Sequence, residues 1–272
     1  MLDRLDLSAV RAVALDVDGT LAGPDSQVSR RAIEAMRAVA ALDLPVILLT
    51  GRTRRNALEI ARRADLPHLA IACNGALIFD PVSGRDLVAT PMSRADKRTF
   101  RQLTEELGMD LTWWTKDHMY VAADGPMRRT ILELNHEEAE IGDPDALDDA
   151  VVLKMMAWAT ADHLDEVADE IHRRLPGVQR SMDTIVEFVD RESTKWHALE
   201  WVLERYDVDP ANVLGAGDGG NDVGWLSGIG FPVAMGNARP EVHEVARAVA
   251  PSNADDGAAH LLERLAAAHG GA

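Results

Sequence analysis

The stretch LDVDGTL, residues 15–21, places two aspartates one residue apart at the end of an apolar run. In the segment 10–18 the apolar positions fall on both faces, which predicts a buried strand of a parallel sheet. Asp-Gly is a common turn pair, so a turn explains Asp18 and Gly19. It does not explain Asp16, because a carboxylate at the end of a buried strand needs a partner.

A divalent cation would satisfy both aspartates, since carboxylate oxygens are hard ligands. An EF-hand calcium loop that starts at Asp16 is excluded. Such a loop needs Gly at its sixth position and Glu at its twelfth, where this chain has Leu21 and Gln27. The paired aspartates therefore indicate a different kind of metal or catalytic site.

The segments after this strand alternate between helix and strand, which predicts an α/β fold with a Rossmann-like parallel-sheet core. Gly and Pro at 81–84 predict a hairpin turn within residues 76–91. Ser29 is the expected N-cap of the first helix. The predicted elements are a helix over 30–41, a strand over 45–52, a helix over 53–64 and a third strand over 68–75.

From about Met92 the pattern changes to helices alternating with half-polar strands, which predicts an inserted α+β domain whose sheet has one covered face. The α/β pattern returns after Arg191. We therefore predict a discontinuous core, residues 1–90 and 189–272, with the insertion at 91–188. The predicted helices are 94–108, 126–138, 162–175, 193–206 and 255–268, and the predicted strands are 111–123, 151–160, 178–190, 211–218 and 231–236.

The composition narrows the functional classes. The chain has 272 residues, 47% of them apolar, and a net charge of −17. An acidic protein is a poor partner for nucleic acid or anionic membranes. No apolar run approaches the ~20 residues of a membrane helix, and the N-terminus lacks the apolar region of a signal peptide. We expect a cytoplasmic protein, monomeric or homodimeric, with no nucleic-acid or membrane partner.

Cys73 is the only cysteine, which excludes an internal disulfide and a Cys-rich zinc site. It lies in the apolar segment AIACNG and is expected to be buried and inert. In the insertion, alternation along a strand would bury only one of Trp113 and Trp114. The other would line a pocket or pack at the surface.

Three polar segments follow predicted strands of the core, namely residues 16–18, 50–52 and 217–222. The carboxyl ends of parallel strands share one edge of a sheet, where ligands bind. The segment GAGDGG, 215–220, also matches a dinucleotide-binding pattern, but Asp218 would repel a pyrophosphate there. Asp218 and Asp222 instead add oxygen ligands that suit Mg²⁺.

Two further features favour a phosphate ligand. Lys195 opens a helix, where a lysine is unfavourable against the helix dipole and therefore suggests another purpose. Thr50 and Gly51 offer a hydroxyl and a backbone N–H at a strand end, both of which suit a phosphate oxygen. Each feature alone also has a plain structural explanation, as a surface lysine or a strand stop.

LDVDGTL, LLTGR, Lys195 and GDGGND occur in the order of the four motifs of the haloacid dehalogenase superfamily, which this chain resembles. ACNGALIFD, AMGNARPEV and PSNADDG look like its Cof-type subfamily, whose members carry a large α/β cap between the second and third motifs. The motifs fall on the core, a little over half of the chain. The insertion matches only in length and element order.

The resemblance implies roles for the residues of the four motifs. Asp16 would be the nucleophile that becomes an aspartyl phosphate, and Asp18 the acid that protonates the leaving group and then activates water. Lys195 would orient Asp16. The remaining implied roles are phosphate or substrate contacts for Thr50, Gly51 and Asn221, metal ligation by Asp16, the Asp18 carbonyl and Asp218, and indirect support from Asp222.

Three further residues have open assignments. Arg52 either reaches a second anionic group of the substrate or is solvated at a helix start. Asn74 either touches the substrate or forms a turn with Gly75. Glu187 is a hinge or pocket candidate.

The sequence therefore favours a Mg²⁺-dependent phosphatase of small phosphorylated metabolites, sugar phosphates or similar monoesters. An acid two residues after the nucleophile is what the resemblance implies for phosphatases and phosphomutases rather than dehalogenases. A phosphomutase is the alternative within the family. A non-catalytic sensor of a phosphorylated ligand is the alternative outside enzymes, and it would be expected to lack one of the four motif residues.

Overall fold

The computed structural model describes residues 5–135 and 137–270, which form three β-sheets with helices packed against them. The strands, in chain order, are β1 Ala12–Leu15, β2 Val46–Leu48, β3 Ala70–Ala72, β4 Leu77–Phe79, β5 Asp86–Ala89, β6 Asp110–Trp114, β7 Met119–Val121, β8 Glu140–Ile141, β9 Lys154–Trp158, β10 Gln179–Met182, β11 Ile185–Val189, β12 Val213–Gly217, β13 Phe231–Ala234 and β14 Ala248–Val249.

The predicted helices begin within two residues of the positions expected from the sequence, whereas the short helices over 223–228 and 240–245 were not predicted. Ser29 caps the first helix, as predicted, and Thr194 caps the helix that begins at Lys195; each accepts a backbone N–H with its side-chain oxygen. The helices are α1 Arg30–Ala40, α2 Arg54–Arg63, α3 Arg94–Glu106, α4 Pro126–Asn135, α5 Ala161–Arg174, α6 Lys195–Tyr206, α7 Val223–Gly228, α8 Pro240–Val245 and α9 Gly257–Gly270.

The core sheet is parallel throughout, in the order β14-β13-β12-β1-β2, which confirms the predicted α/β fold. Strand β1, which lies between β12 and β2, is buried on both faces. Val13 and Leu15 pack toward α1 and α9, whereas Ala12 and Ala14 pack toward α6 and α7. This two-sided burial explains why the first strand is apolar at nearly every position.

The third predicted strand belongs to a separate sheet. β3 pairs antiparallel with β4, and β4 with β5, so that the predicted hairpin is confirmed. A single parallel bridge, Leu49 to Ile71, connects β3 to the end of β2. Cys73 and Asn74 have positive φ angles of 50° and 55°, which turn the chain back on itself after β3. Residues 68–75 therefore do not continue the parallel core.

The insertion contains a six-stranded sheet in the order β10-β11-β9-β6-β7-β8. All its strand pairs are antiparallel except β7 with β8. The segments 111–123 and 178–190, each predicted as one strand, are hairpins. The first reverses where Thr115 donates its N–H to the carbonyl of His118.

Helices cover this sheet on both faces, so the prediction of one covered face is wrong. Helices α3 and α5 pack on the face that carries Trp113. Helix α4 packs on the face that carries Trp114. Both tryptophans are buried, at 4% and 3% exposure, because the two faces have separate apolar clusters. The domain boundaries at 90/91 and 188/189 stay a prediction.

The described residues include no helix with both the length and the apolarity of a membrane span. Cys73 is fully buried, and this burial raises the pKa of its thiol to about 12. An unreactive thiol is what the sequence led us to expect.

Candidate active site

Asp16 and Lys195 meet at the carboxyl edge of the core sheet. Asp16 follows β1, and Lys195 is the first residue of α6, 179 positions further along the chain. The Lys195 Nζ donates to Asp16 Oδ1 at 2.6 Å, and both side chains are buried. The lysine at a helix start, which the helix dipole disfavours, is thus held by a carboxylate.

Asp222 organises the surroundings of this pair. Its Oδ1 accepts from Lys195 Nζ at 2.7 Å and from the indole N–H of Trp225 at 2.9 Å. Its Oδ2 accepts the backbone N–H groups of Asp218 and Gly219, each at 3.0 Å. Both oxygens of this completely buried carboxylate are therefore engaged, and they fix the lysine and the 217–222 loop together.

The charges of these groups are strongly interdependent. Burial on its own would lower the pKa of the Lys195 ammonium group, but the adjacent carboxylates of Asp16 and Asp222 raise it above its ordinary value. Burial raises the pKa of Asp16, and Lys195 opposes that rise. Burial and the nearby Asp222 raise the pKa of Asp218 to about 7. The three carboxyl groups of Asp16, Asp218 and Asp222 thus have one ammonium group beside them, that of Lys195, and their negative charge is only partly neutralised.

The donor set fits a divalent cation. Carboxylate oxygens of Asp16, Asp218 and Asp222 lie within 4.8 Å of one another. Because Asp222 already accepts four hydrogen bonds, Asp16 and Asp218 are the carboxylates of this cluster that remain for a cation. Oxygen ligands suit Mg²⁺, and a cation would supply the missing positive charge. The backbone carbonyl of Asp18 stays a predicted ligand.

Gly19 allows Asp218 to approach the turn after Asp18. Its φ angle is +78°, and a Cβ atom there would lie 2.1 Å from Asp218 Oδ2. The Thr20 hydroxyl donates to the other oxygen of Asp218 at 3.3 Å. The glycine of the first motif is therefore required both by its backbone conformation and by the adjacent carboxylate.

Asp18 is held by Arg52. The Arg52 Nε and Nη2 donate to Asp18 Oδ1 at 3.0 and 2.6 Å, and Nη2 also donates to the Ser26 carbonyl at 2.9 Å. Arg52 is only 5% exposed, so it is not a solvated residue at a helix start. It is also not a free cation, because its fork is occupied by the carboxylate.

The segment after β2 meets the loop after β3. Asn74 N–H donates to the Thr50 carbonyl at 3.0 Å, and Asn221 Nδ2 lies 3.5 Å from Asn74 Oδ1. Gly51 and the two asparagines line a cavity between this edge of the core and the six-stranded sheet. Thr50 is fully buried and does not line this cavity. Its hydroxyl oxygen accepts a hydrogen bond from the backbone N–H of Arg52 at 3.1 Å. Its contact with phosphate stays a prediction.

Lys154 and Glu187 form a buried ion pair that sequence reasoning did not assign. The two strands that carry them, β9 and β11, bring Lys154 Nζ to 2.7 Å from Glu187 Oε2. Lys154 also donates to the Gly51 carbonyl at 3.2 Å, and Asn74 Nδ2 donates to Glu187 Oε1 at 2.9 Å. The six-stranded sheet is thus hydrogen-bonded to both core loops.

A cavity of about 480 Å³ lies between the core edge and the six-stranded sheet. Asp16, Asp18 and Asp218 line its core side, and Lys154 and Glu187 line the opposite side. Its volume falls in the range of small-molecule sites. Lys195 and Asp222 lie outside the lining of this cavity.

Replacement of Asp222 by Ala should lower the free energy of unfolding by about 3 kcal/mol, because it removes a buried partner of Lys195 and four hydrogen bonds. Urea denaturation measures the change. Asp169→Ala, on the exposed face of α5, is the control and should change stability by less than ~0.5 kcal/mol. An Asp222→Ala protein as stable as this control would contradict the organising role.

The parallel core with its carboxylates, buried lysine and adjoining cavity defines an enzyme with an acidic site at the end of the first strand. The family model described as haloacid dehalogenase-like hydrolase matches residues 13–262. The chain belongs to this hydrolase family, which confirms the resemblance seen in its motifs.

Known relatives and structures agree with this assignment. A phosphoglycolate phosphatase of Archaeoglobus fulgidus is 26% identical over 255 residues, which cover 94% of this chain and 96% of the relative. A 5-amino-6-(5-phospho-D-ribitylamino)uracil phosphatase of Bacillus subtilis is 27% identical, with coverage of 93% and 94%. The crystal structure of a haloacid dehalogenase-like hydrolase from Bacteroides thetaiotaomicron shares the fold, with a TM-score of 0.81, 22% identity and coverage of 94% and 99%.

Proposed function

We propose that this chain is a Mg²⁺-dependent phosphatase of small phosphorylated metabolites that forms an aspartyl phosphate on Asp16. The observation that carries the proposal is the buried contact of Asp16 with Lys195 beside a cavity whose core side is also lined by Asp18 and Asp218. The names of the two relatives, both phosphatases that cover nearly the whole chain, support the same class of reaction.

In the first step Asp16 attacks phosphorus and displaces the alcohol. Both the carboxylate and the phosphate are negative, so the reaction depends on neutralised charge. Lys195 provides one positive charge at 2.6 Å from Asp16. A Mg²⁺ ion held by Asp16, Asp218 and the Asp18 carbonyl would supply the rest as a Lewis acid. Gly51 and Asn221 are the proposed contacts of the phosphate oxygens, together with Thr50.

Asp18 is the proposed proton carrier in both steps. It protonates the leaving oxygen and then, as a base, takes a proton from the water that attacks the aspartyl phosphate. Arg52 holds the carboxyl group of Asp18 through a fork, so Asp18 must exchange this contact for the ester before it acts. Arg52 then has a free fork beside the bound ester.

The insertion, residues 91–188, is the proposed cap that covers the site and selects the substrate. Its contacts with the core support this role. Lys154 reaches the carbonyl of Gly51, and Glu187 accepts from Asn74, both in loops of the proposed phosphate site. A bound ester would lie between these loops and the six-stranded sheet, away from bulk water.

Phosphate release from a panel of phosphorylated sugars, cofactors and nucleotides tests the proposal. We expect release from a subset of esters with Mg²⁺ present and none after EDTA treatment, with sugar phosphates or similar monoesters as the class predicted from sequence. A folded protein that releases phosphate from no ester would contradict phosphatase activity. It would favour the phosphomutase or the non-catalytic sensor of a phosphorylated ligand.

A further inference from the structure

The cavity has a chemically distinct side opposite the aspartates. Six apolar side chains of the six-stranded sheet and α4 line it. One of them, Met182 on β10, is 38% exposed, and we call the other five the apolar wall: Trp114, Ile131, Leu134, Met156 and Ile185. The same residues pack against one another in a hydrophobic cluster between the sheet and α4. The wall is therefore the cavity-facing edge of a packed core and does not depend on single mobile side chains.

The charged residues on this side, Lys154 and Glu187, pair with each other, and most of its uncharged polar groups have partners within their own elements. The Thr130 hydroxyl donates to the Pro126 carbonyl at 3.0 Å, and Asn135 Nδ2 donates to the Ile131 carbonyl at 3.2 Å. The Trp114 indole N–H donates to the Thr112 hydroxyl at 3.2 Å. Ser181 adds a single hydroxyl to the lining. A polyhydroxylated group placed against this wall would lose hydrogen bonds to water and find few replacements.

Cations around the cavity are paired as well. Among the described residues, the positively charged side chains of the lining are Arg52, Lys154 and Arg239. Their distances to a carboxylate are 2.6 Å for Arg52 with Asp18, 2.7 Å for Lys154 with Glu187 and 3.6 Å for Arg239 with Asp183. If Arg52 turns to the ester, Lys154 and Arg239 still remain paired. A second phosphate on the substrate would face acidic groups and neutralised cations.

From the wall and the paired cations we infer that the preferred substrate is a phosphomonoester with one phosphate whose alcohol part carries an uncharged, largely apolar ring. The ring packs against the apolar wall while the phosphate lies at Asp16. Burial of an aromatic ring against apolar side chains is favourable. The wall offers its aliphatic side chains for this contact, because Lys154 Nζ already lies over the Trp114 ring, 4.6 Å from its centre. The inference rests on the proposed phosphatase function and narrows its substrate.

Three primary alkyl esters test it, since they present similar leaving oxygens: 2-phenylethyl phosphate, glucose 6-phosphate and fructose 1,6-bisphosphate. With Mg²⁺ present, kcat/KM for the phenylethyl ester should exceed that for each sugar ester by at least about tenfold. Equal values, or a preference for either sugar ester, would overturn the inference and leave the phosphatase function intact. Hydrolysis of none of the three or of any ester in the broader panel would count against the phosphatase function itself.

A matched pair of variants on α4 tests the wall. Leu134→Gln changes a partly buried wall residue, whereas Leu132→Gln changes a residue on the same helix that is 42% exposed and outside the lining. We expect Leu134→Gln to lower kcat/KM for the phenylethyl ester about fivefold or more, with little change for glucose 6-phosphate. Leu132→Gln should change neither. An equal loss for both esters in Leu134→Gln would contradict the proposed ring contact.

Discussion

Asp16→Asn is expected to lower kcat for phosphate release by at least about 10⁴-fold, because an amide of the same shape cannot serve as the nucleophile. The substitution keeps a hydrogen-bond acceptor for Lys195, whose second partner Asp222 is unchanged. The protein should therefore fold, as thermal unfolding would show. Steady-state phosphate release with Mg²⁺ measures the loss.

Asp169→Asn is the control for this experiment, since Asp169 is an exposed residue of α5 outside the cavity lining. It should keep the wild-type rate. An Asp16→Asn protein that is folded and turns over esters within tenfold of the wild type would rule out Asp16 as the nucleophile. The reaction would then have to use direct attack by water.

The second large effect is expected for Lys195→Met, with a loss of about 10³-fold in kcat/KM. Lys195 opposes the rise in the pKa of Asp16 that burial and the neighbouring carboxylates cause. Without the ammonium group this pKa rises further, so a smaller fraction of Asp16 is ionised at neutral pH. The acidic limb of the pH profile of kcat/KM should therefore move to higher pH.

The shift of the pH profile separates a role in the reaction from a purely structural one. A merely destabilised protein would lose activity across the whole profile, without displacement of its acidic limb. Lys116→Met is the control, because Lys116 is half exposed, forms an ion pair with Asp86 and lies outside the cavity lining. An unshifted acidic limb in Lys195→Met would contradict the role of Lys195 in keeping Asp16 anionic.

The sequence predicts that the site residues lie close together, because it predicts a parallel sheet and they follow the strands of that sheet. Strand ends of a parallel sheet share one edge, so Asp16 and the 217–222 loop could be placed together before any distance was known. The lysine at a helix start gave a second signal, since its position is unfavourable without an acidic partner. Both expectations agree with the contact between Lys195 and Asp16.

The contacts of Arg52, Lys154 and Glu187 could not be predicted in this way. Each contact depends on how two segments of the chain pack together in three dimensions. The hydrophobic periodicity within one segment does not determine that packing. The one signal for Lys154 in the sequence is its position in an apolar strand, where a charge is costly without a partner. Its partner, Glu187, lies on the neighbouring strand β11.

The observed secondary structure differs from the prediction where the backbone conformation of one or two residues sets the direction of the chain. The positive φ angles of Cys73 and Asn74 turn the chain back after β3, so that β4 pairs with it antiparallel. The sequence offered a turn at Asn74 and Gly75 as one alternative, but it did not show that residues 68–75 leave the parallel sheet. Trp225 had no explanation from the sequence. Its indole N–H donates to Asp222, so this tryptophan supports the carboxylate that holds Lys195. A bulky residue after an acidic loop is thus part of the site.

Trapping of the phosphorylated enzyme tests the central claim most directly. Wild-type protein would be mixed with Mg²⁺ and a hydrolysed ester, quenched in acid during turnover, and digested for mass spectrometry. We predict that the peptide containing Asp16 gains the mass of one phosphoryl group, and that Asp16→Asn shows no such gain. Phosphate release by the wild type with no modified peptide, or with the phosphoryl group on another residue, would contradict the account.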